Sequence, residues 1–177
     1  MGGNREDAAG LVNEPAREAA QWTGRQLPEA QQAYLSDLPL VWKEEPLTLV
    51  HGSLHEPEEF HYIFDLAGAQ TCLQHQQTPL TFVGHTHVPG IFIEENSNVR
   101  FVRADCWEMK AGRKALVNVG SVGQPRDGDP RAVYCLYDTQ TQVVEIRRVA
   151  YPIEQAQAKI RAAGLPEFLA NRLAYGY

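Results

Sequence analysis

Two short runs constrain this chain more than anything else in it: "LTLVHG" at residues 47–52 and "LTFVGHTHVPG" at residues 80–90. Each is a β-branched or aromatic stretch that ends abruptly in histidine and glycine. Apolar runs of this length, stopped by glycine or proline, read as strands with both faces covered. A histidine at the end of such a strand, beside a permissive glycine, is how an α/β sheet presents ligands at the carboxyl ends of its strands. If the two strands are neighbours, His51 comes to lie beside His85 and His87. Residues two apart on a regular strand also share a face. Neutral imidazole is the commonest metal ligand, so the His-x-His pair between Gly84 and Val-Pro-Gly reads as a metal site. His51 taken alone is either a ligand or a chance strand-end histidine.

The rest of the chain supplies the elements around these runs. Residues 15–37 read as two helices, with Gly24 and Pro28 between them. "LVWKE" is a further strand before "LTLVHG". Phe60, Ile63, Phe64 and Ala67 fall at helical spacing, which predicts an amphipathic helix over 57–76. "GIFIEE", "NVRFVRAD" and "KALVNVGS" are strands. "RAVYCLYDT" and "TQVVEIRRVAY" form a hairpin turning near Asp138 to Gln142. The tail is helical and broken at Gly164-Leu165-Pro166. This order predicts an α/β or α+β fold whose sheet is partly antiparallel in its second half.

Composition narrows the function classes. With 177 residues the chain suits one domain, and 44% hydrophobic with 21% charged residues is ordinary for a globular protein. A net charge of −6 argues against a general nucleic-acid binder. It leaves open a phosphate-bearing small substrate, because a bound cation can outweigh net charge locally. Three cysteines without a CxxC pair argue against a disulfide scaffold or zinc ribbon, and a cytoplasmic location is expected. No apolar run approaches a membrane span.

Three other features carry weaker signals. "NVGSVGQPRDG" (118–128) is a strand entering a glycine-rich turn; it is either a plain turn or an anion site where Arg126 grips phosphate. "GGNRED" (2–7) is, by itself, a polar start. His55, His61 and His75 lack a strand-end context and read as surface histidines.

Taken in order, these pieces resemble the calcineurin-like metallophosphoesterases, in particular their bacterial metallophosphatase or phosphodiesterase subgroup. The family pattern runs D-x-H, G-D, G-N-H-[DE], a strand-end histidine, then G-H-x-H. Here "LVHGS" and "VGHTH" match the last two motifs, and "GGNRED" resembles the third with arginine in the histidine position. The first two motifs are absent. The resemblance implies residues 1–177 as a single, truncated phosphoesterase domain, the C-terminal two-thirds of a four-layer αββα sandwich with mixed sheets. It implies a binuclear divalent-metal centre (Mn, Fe, Zn or Ni) hydrolysing a phosphomonoester or phosphodiester. Asn4, His51 and His85 would belong to one ion and His87 to the other. Arg5 would stand at the family's catalytic histidine, and arginine cannot act as an acid near neutral pH. Three ligands of His87's ion have no counterpart in these residues.

The same comparison therefore implies an impaired centre holding one ion or none. The alternative is a catalytically degraded phosphoesterase-fold interaction or scaffold protein. The expected partner is a small phosphate ester, with neither membrane nor nucleic acid. A homodimer over the surface that the missing N-terminal part would cover is also expected.

Overall fold

The computed structural model describes residues 14–177. Asn4 and Arg5 lie outside them. The chain divides into two compact units, Met1–Leu38 with Glu154–Asn171, and Pro39–Ile153 with Arg172–Tyr177.

The described part of the first unit is helical: α1 (Glu14–Gln26), α2 (Glu29–Ser36), α4 (Ile153–Ala162) and α5 (Glu167–Asn171). The last carbonyls of a helix lack partners within it. The Gln32 amide supplies partners for α1, donating to the carbonyls of Gly24 and Leu27 at 3.0 and 2.8 Å. Between α4 and α5 the chain reverses at Gly164, whose φ of +70° suits the left-handed end of a helix. Arg161 closes the reversal, donating to Glu167 and Asn171 at 2.9 Å each.

The second unit carries both sheets and one helix. The strands are β1 (Val41–Glu44), β2 (Leu47–Val50), β3 (Leu80–Val83), β4 (Gly90–Glu95), β5 (Asn98–Val102), β6 (Cys106–Glu108), β7 (Lys114–Asn118), β8 (Ala132–Asp138) and β9 (Val143–Val149). Helix α3 spans Leu66–His75. The larger sheet has the order β1-β2-β3-β7-β4-β5, and the smaller has β6-β9-β8. In the larger sheet β2, β3 and β7 are parallel neighbours, and the other pairings are antiparallel. The expected mixed α/β fold is therefore what the chain adopts.

Strand alternation builds two cores. Leu80, Ile91, Ile93, Ala115 and Val117 pack toward Val133, Val144 and Ile146 of the smaller sheet. Val83, Phe92 and Leu116, on the opposite face, pack on Ala69, Cys72 and Leu73 of α3. Each fully buried aliphatic side chain contributes about 1.5–3 kcal/mol. With both faces covered, β3 and β7 carry apolar residues on both faces rather than in strict alternation.

One expectation is corrected. The helix placed over 57–76 starts only at Leu66. Asp65 caps it, accepting from Gly68 N–H at 2.8 Å, and this fixes its first turn. Upstream, Pro57–Glu59 is a single 3₁₀ turn between left-handed Glu56 and Phe60, and residues 60–64 form an open strap. Of the spaced residues, Ile63 is buried, whereas Phe60 and Phe64 are exposed. The segment carrying His85 and His87 lies between strands, as expected, since β3 stops at Val83 and β4 starts at Gly90. Strand β6, only three residues long, was not foreseen.

Candidate metal centre

The carboxyl ends of the three parallel strands converge, and each delivers one part of the site. His51 follows β2 directly, His85 and His87 lie just beyond β3, and Asn118 is the last residue of β7. The neighbouring strand ends are tied by Gly84 N–H donating to the His51 carbonyl at 2.9 Å.

Thr86 anchors the turn that carries the two histidines of "GHTH". Its side chain turns inward and is buried, accepting from the Asn118 amide at 2.8 Å and from Val88 N–H at 3.2 Å. The Asn118 amide also donates to Gly84 O at 2.9 Å, and its oxygen accepts from Gly120 N–H at 3.0 Å. His85 and His87 then take left-handed backbone, with φ of +63° and +61°. That conformation costs a non-glycine residue about 1–2 kcal/mol, and such strain persists where surrounding contacts over-determine it. Asn118 went unassigned as a positioning residue. A buried asparagine closing the run "KALV" was its only sequence signal.

The imidazoles are arranged as ligands. His51 Nε2 and His85 Nδ1 lie 3.0 Å apart. His87 stands separately. Its Nδ1 lies 2.7 Å from the Gln124 carbonyl, which can only accept, so Nδ1 carries the hydrogen and Nε2 keeps a free lone pair. All three rings are held below their ordinary pKa. Burial is the first cause for each, and it pushes His85 down to about 4 with help from His51, His87 and Arg126. Neutral rings are the form that binds metal. Tyr62 of the strap stacks on His85 with ring centroids 3.7 Å apart, and Phe60 meets His51 edge-on at 5.8 Å.

Arg126 is brought to the same place. Its guanidinium donates to the Gln124 side-chain oxygen at 2.8 and 3.2 Å, and its N–H donates to the His87 carbonyl at 3.1 Å. Gln124 therefore holds His87 with its backbone and Arg126 with its side chain. The loop is anchored beneath by an ion pair between Asp127, almost fully buried, and Arg148 of β9.

The profile of the calcineurin-like phosphoesterase superfamily domain matches residues 2–142. The chain belongs to that superfamily. It superposes on a metallophosphoesterase from Sphaerobacter thermophilus with a TM-score of 0.84 at 40% identity, covering 96% of this chain and 72% of that one. A hypothetical protein from Pyrococcus horikoshii has the same fold, with a TM-score of 0.72 at 18% identity over 94% of this chain and 62% of that one. An uncharacterized protein of Methanocaldococcus jannaschii is 34% identical over 162 residues, 89% of this chain. The chain spans 65% of that relative's length.

Members of this superfamily typically use divalent metals, and the donors fit such ions. Two facing imidazole nitrogens and a third imidazole of fixed tautomer are a set suited to zinc, iron, nickel or manganese. Among the described residues, the three that bring donor atoms within 4.8 Å of one another are His55, Glu56 and His61, not His51, His85 and His87. His87 thus stands apart from the His51–His85 pair. No described helix is long and apolar enough to cross a membrane.

Proposed function

We propose that this phosphoesterase-superfamily chain hydrolyses a phosphomonoester or phosphodiester of a small molecule with divalent ions at His51, His85 and His87. The observation that carries the reading is the 3.0 Å approach of His51 Nε2 to His85 Nδ1 where parallel strands end. His51 and His85 would hold one ion together with Asn4, and His87 would serve the other through Nε2. When bound, such ions would supply Lewis-acid stabilisation of phosphoryl oxygens and a lower pKa for the attacking water. The chain's own groups would position the ester. Arg126, fixed by Gln124, offers a guanidinium fork to a phosphate oxygen pair. Tyr62 and Phe60 would shield one side of the imidazole pair from water. Arg5, at the family's histidine position, would bind phosphate without giving up a proton.

The test is hydrolysis of p-nitrophenyl phosphate and its bis ester with and without Mn²⁺. Metal-stimulated turnover, abolished by His85→Ala, is the expected result. Absence of turnover on both esters with metal present would overturn the reading.

A second reading, a phosphoesterase-fold interaction protein without turnover, draws on the donor set. No carboxylate among the described residues bonds to His51, His85 or His87. Metal analysis separates the two, since two tightly bound ions per chain would exclude it. Self-association along β1 is proposed as well. Trp42 and Leu49 oppose each other across β1 and β2 and are 41% and 42% exposed. A monodisperse monomer on a sizing column would refute it.

A further inference from the structure

The geometry points to a second cation site, separate from the strand-end imidazoles, formed by His55, Glu56 and His61 and suited to a borderline divalent ion such as Zn²⁺. In the sequence His55 and His61 read as surface histidines. The backbone brings them together. Glu56 and Phe60 both take left-handed backbone, with φ of +48° and +51°, on either side of the Pro57–Glu59 turn. The chain reverses there and returns His61 to the start of the turn.

The donor spacing is that of a coordination shell. Glu56 Oε2 lies 3.4 Å from His55 Nε2 and 3.1 Å from His61 Nε2. Zinc bonds of ~2.0–2.2 Å in a tetrahedron set neighbouring donors roughly 3.4 Å apart. The three donor atoms all lie within 4.8 Å of one another, so small side-chain rotations close the set. The two imidazole rings are stacked, with centroids 5.6 Å apart, and both present Nε2 to the same carboxylate. Two imidazoles, one carboxylate and an open fourth position form a recurrent zinc donor set. The His75 ring lies 5.0 Å from that of His55, and its Nδ1 donates to the Thr71 carbonyl at 2.9 Å, which leaves its Nε2 lone pair free beside the cluster.

The site sits on the strap that carries Phe60 and Tyr62. An ion bridging His55, Glu56 and His61 would staple both ends of the 3₁₀ turn and so hold those two rings on His51 and His85. The cluster thus has a structural consequence for the strand-end site without sharing a ligand with it.

The test uses Zn²⁺ alone, by equilibrium dialysis at neutral pH, on the chain with His51→Gln, His85→Gln and His87→Gln. One zinc per chain is expected to remain bound. Adding His55→Ala and His61→Ala is expected to weaken that binding at least tenfold. No zinc bound by the first variant, or a smaller loss on adding the second pair, overturns the proposal. A second measurement avoids the triple variant. In the unaltered chain with two equivalents of Zn²⁺, the imidazole nitrogen resonances of His55 and His61 are expected to shift, and unmoved resonances would overturn the site. Amide exchange over residues 55–62 is expected to slow as zinc binds, and unchanged exchange would count against the staple.

Discussion

The Nδ1 of His87 donates to the Gln124 carbonyl across 2.7 Å, and the amide nitrogen of Arg126, two residues further on, donates back to the His87 carbonyl at 3.1 Å. This reciprocal pair fixes both the orientation and the tautomer of His87. The expected state near neutral pH is the ring protonated at Nδ1 and bare at Nε2. Long-range nitrogen–proton correlation of the imidazole reads this directly, and the opposite tautomer would show that the tether does not set it.

Asn118 satisfies three backbone or side-chain groups from inside the sheet. Asn118→Ala removes all three bonds and takes the buried Gly120 N–H from its partner, at a cost of about 1–3 kcal/mol. Because it orients the loop that carries two ligands, metal affinity is also expected to fall roughly 10- to 100-fold. Chemical denaturation and metal competition check the two effects separately. Full affinity in a destabilised variant would mean that Asn118 acts on folding alone.

The histidine pKa shifts set a pH dependence with a definite sign. The folded chain holds His85 near 4 against an ordinary 6.5, and His51 and His87 are lowered in the same direction. The unfolded chain therefore binds more protons between these values, and stability rises with pH across that window. Acidifying the metal-free protein from 6.5 to 4 is expected to destabilise it, and His85→Gln is expected to flatten part of that slope. Parallel slopes for the two proteins would remove His85 as a cause.

The two glycines beside the histidines differ in what they demand. A Cβ on Gly52 would meet the His61 carbonyl oxygen at 2.9 Å and Phe60 backbone carbon at 3.0 Å. Gly52→Ala is therefore expected to displace the strap and cost about 1–3 kcal/mol. A Cβ on Gly84 would rest 3.8–3.9 Å from His51, an ordinary contact, so Gly84→Ala is expected to be close to neutral. Thermal melts of both variants check the contrast.

Asp127 and Arg148 form the most enclosed ion pair among the described residues. Asp127→Ala removes the nearer carboxylate and leaves the Arg148 guanidinium 3.6 Å from Asp129, so the expected cost lies below the roughly 3 kcal/mol of a fully stranded buried charge. Because the pair supports the loop carrying Gln124, His87 is expected to become more mobile in nuclear relaxation measurements.

How much of this was legible in the sequence depended on how local the cause was. The strands "LTLV", "LTFV" and "KALV" are mostly apolar and β-branched and are stopped by histidine, glycine or asparagine, so both their nature and their ends could be read. The strap misled because Phe60, Ile63, Phe64 and Ala67 reproduce a helical spacing by coincidence. The Asp65 cap and two left-handed non-glycine residues decide otherwise, and no periodicity signals them. For the same reason the His55, Glu56 and His61 cluster stayed hidden, since it exists only after the turn at Pro57–Glu59. The side-by-side placement of His51 and His85 was readable, because it needed only that β2 and β3 be parallel neighbours. The inward Thr86 and the buried Asn118 that aim the histidines depend on tertiary packing.

The most direct test of the central claim is anomalous diffraction from crystals of the chain grown with Mn²⁺. The expected result is a peak within bonding distance, roughly 2.0–2.3 Å, of both His51 Nε2 and His85 Nδ1. Retention of the 3.0 Å nitrogen–nitrogen contact with no density between or beside the rings, at saturating metal, would contradict it.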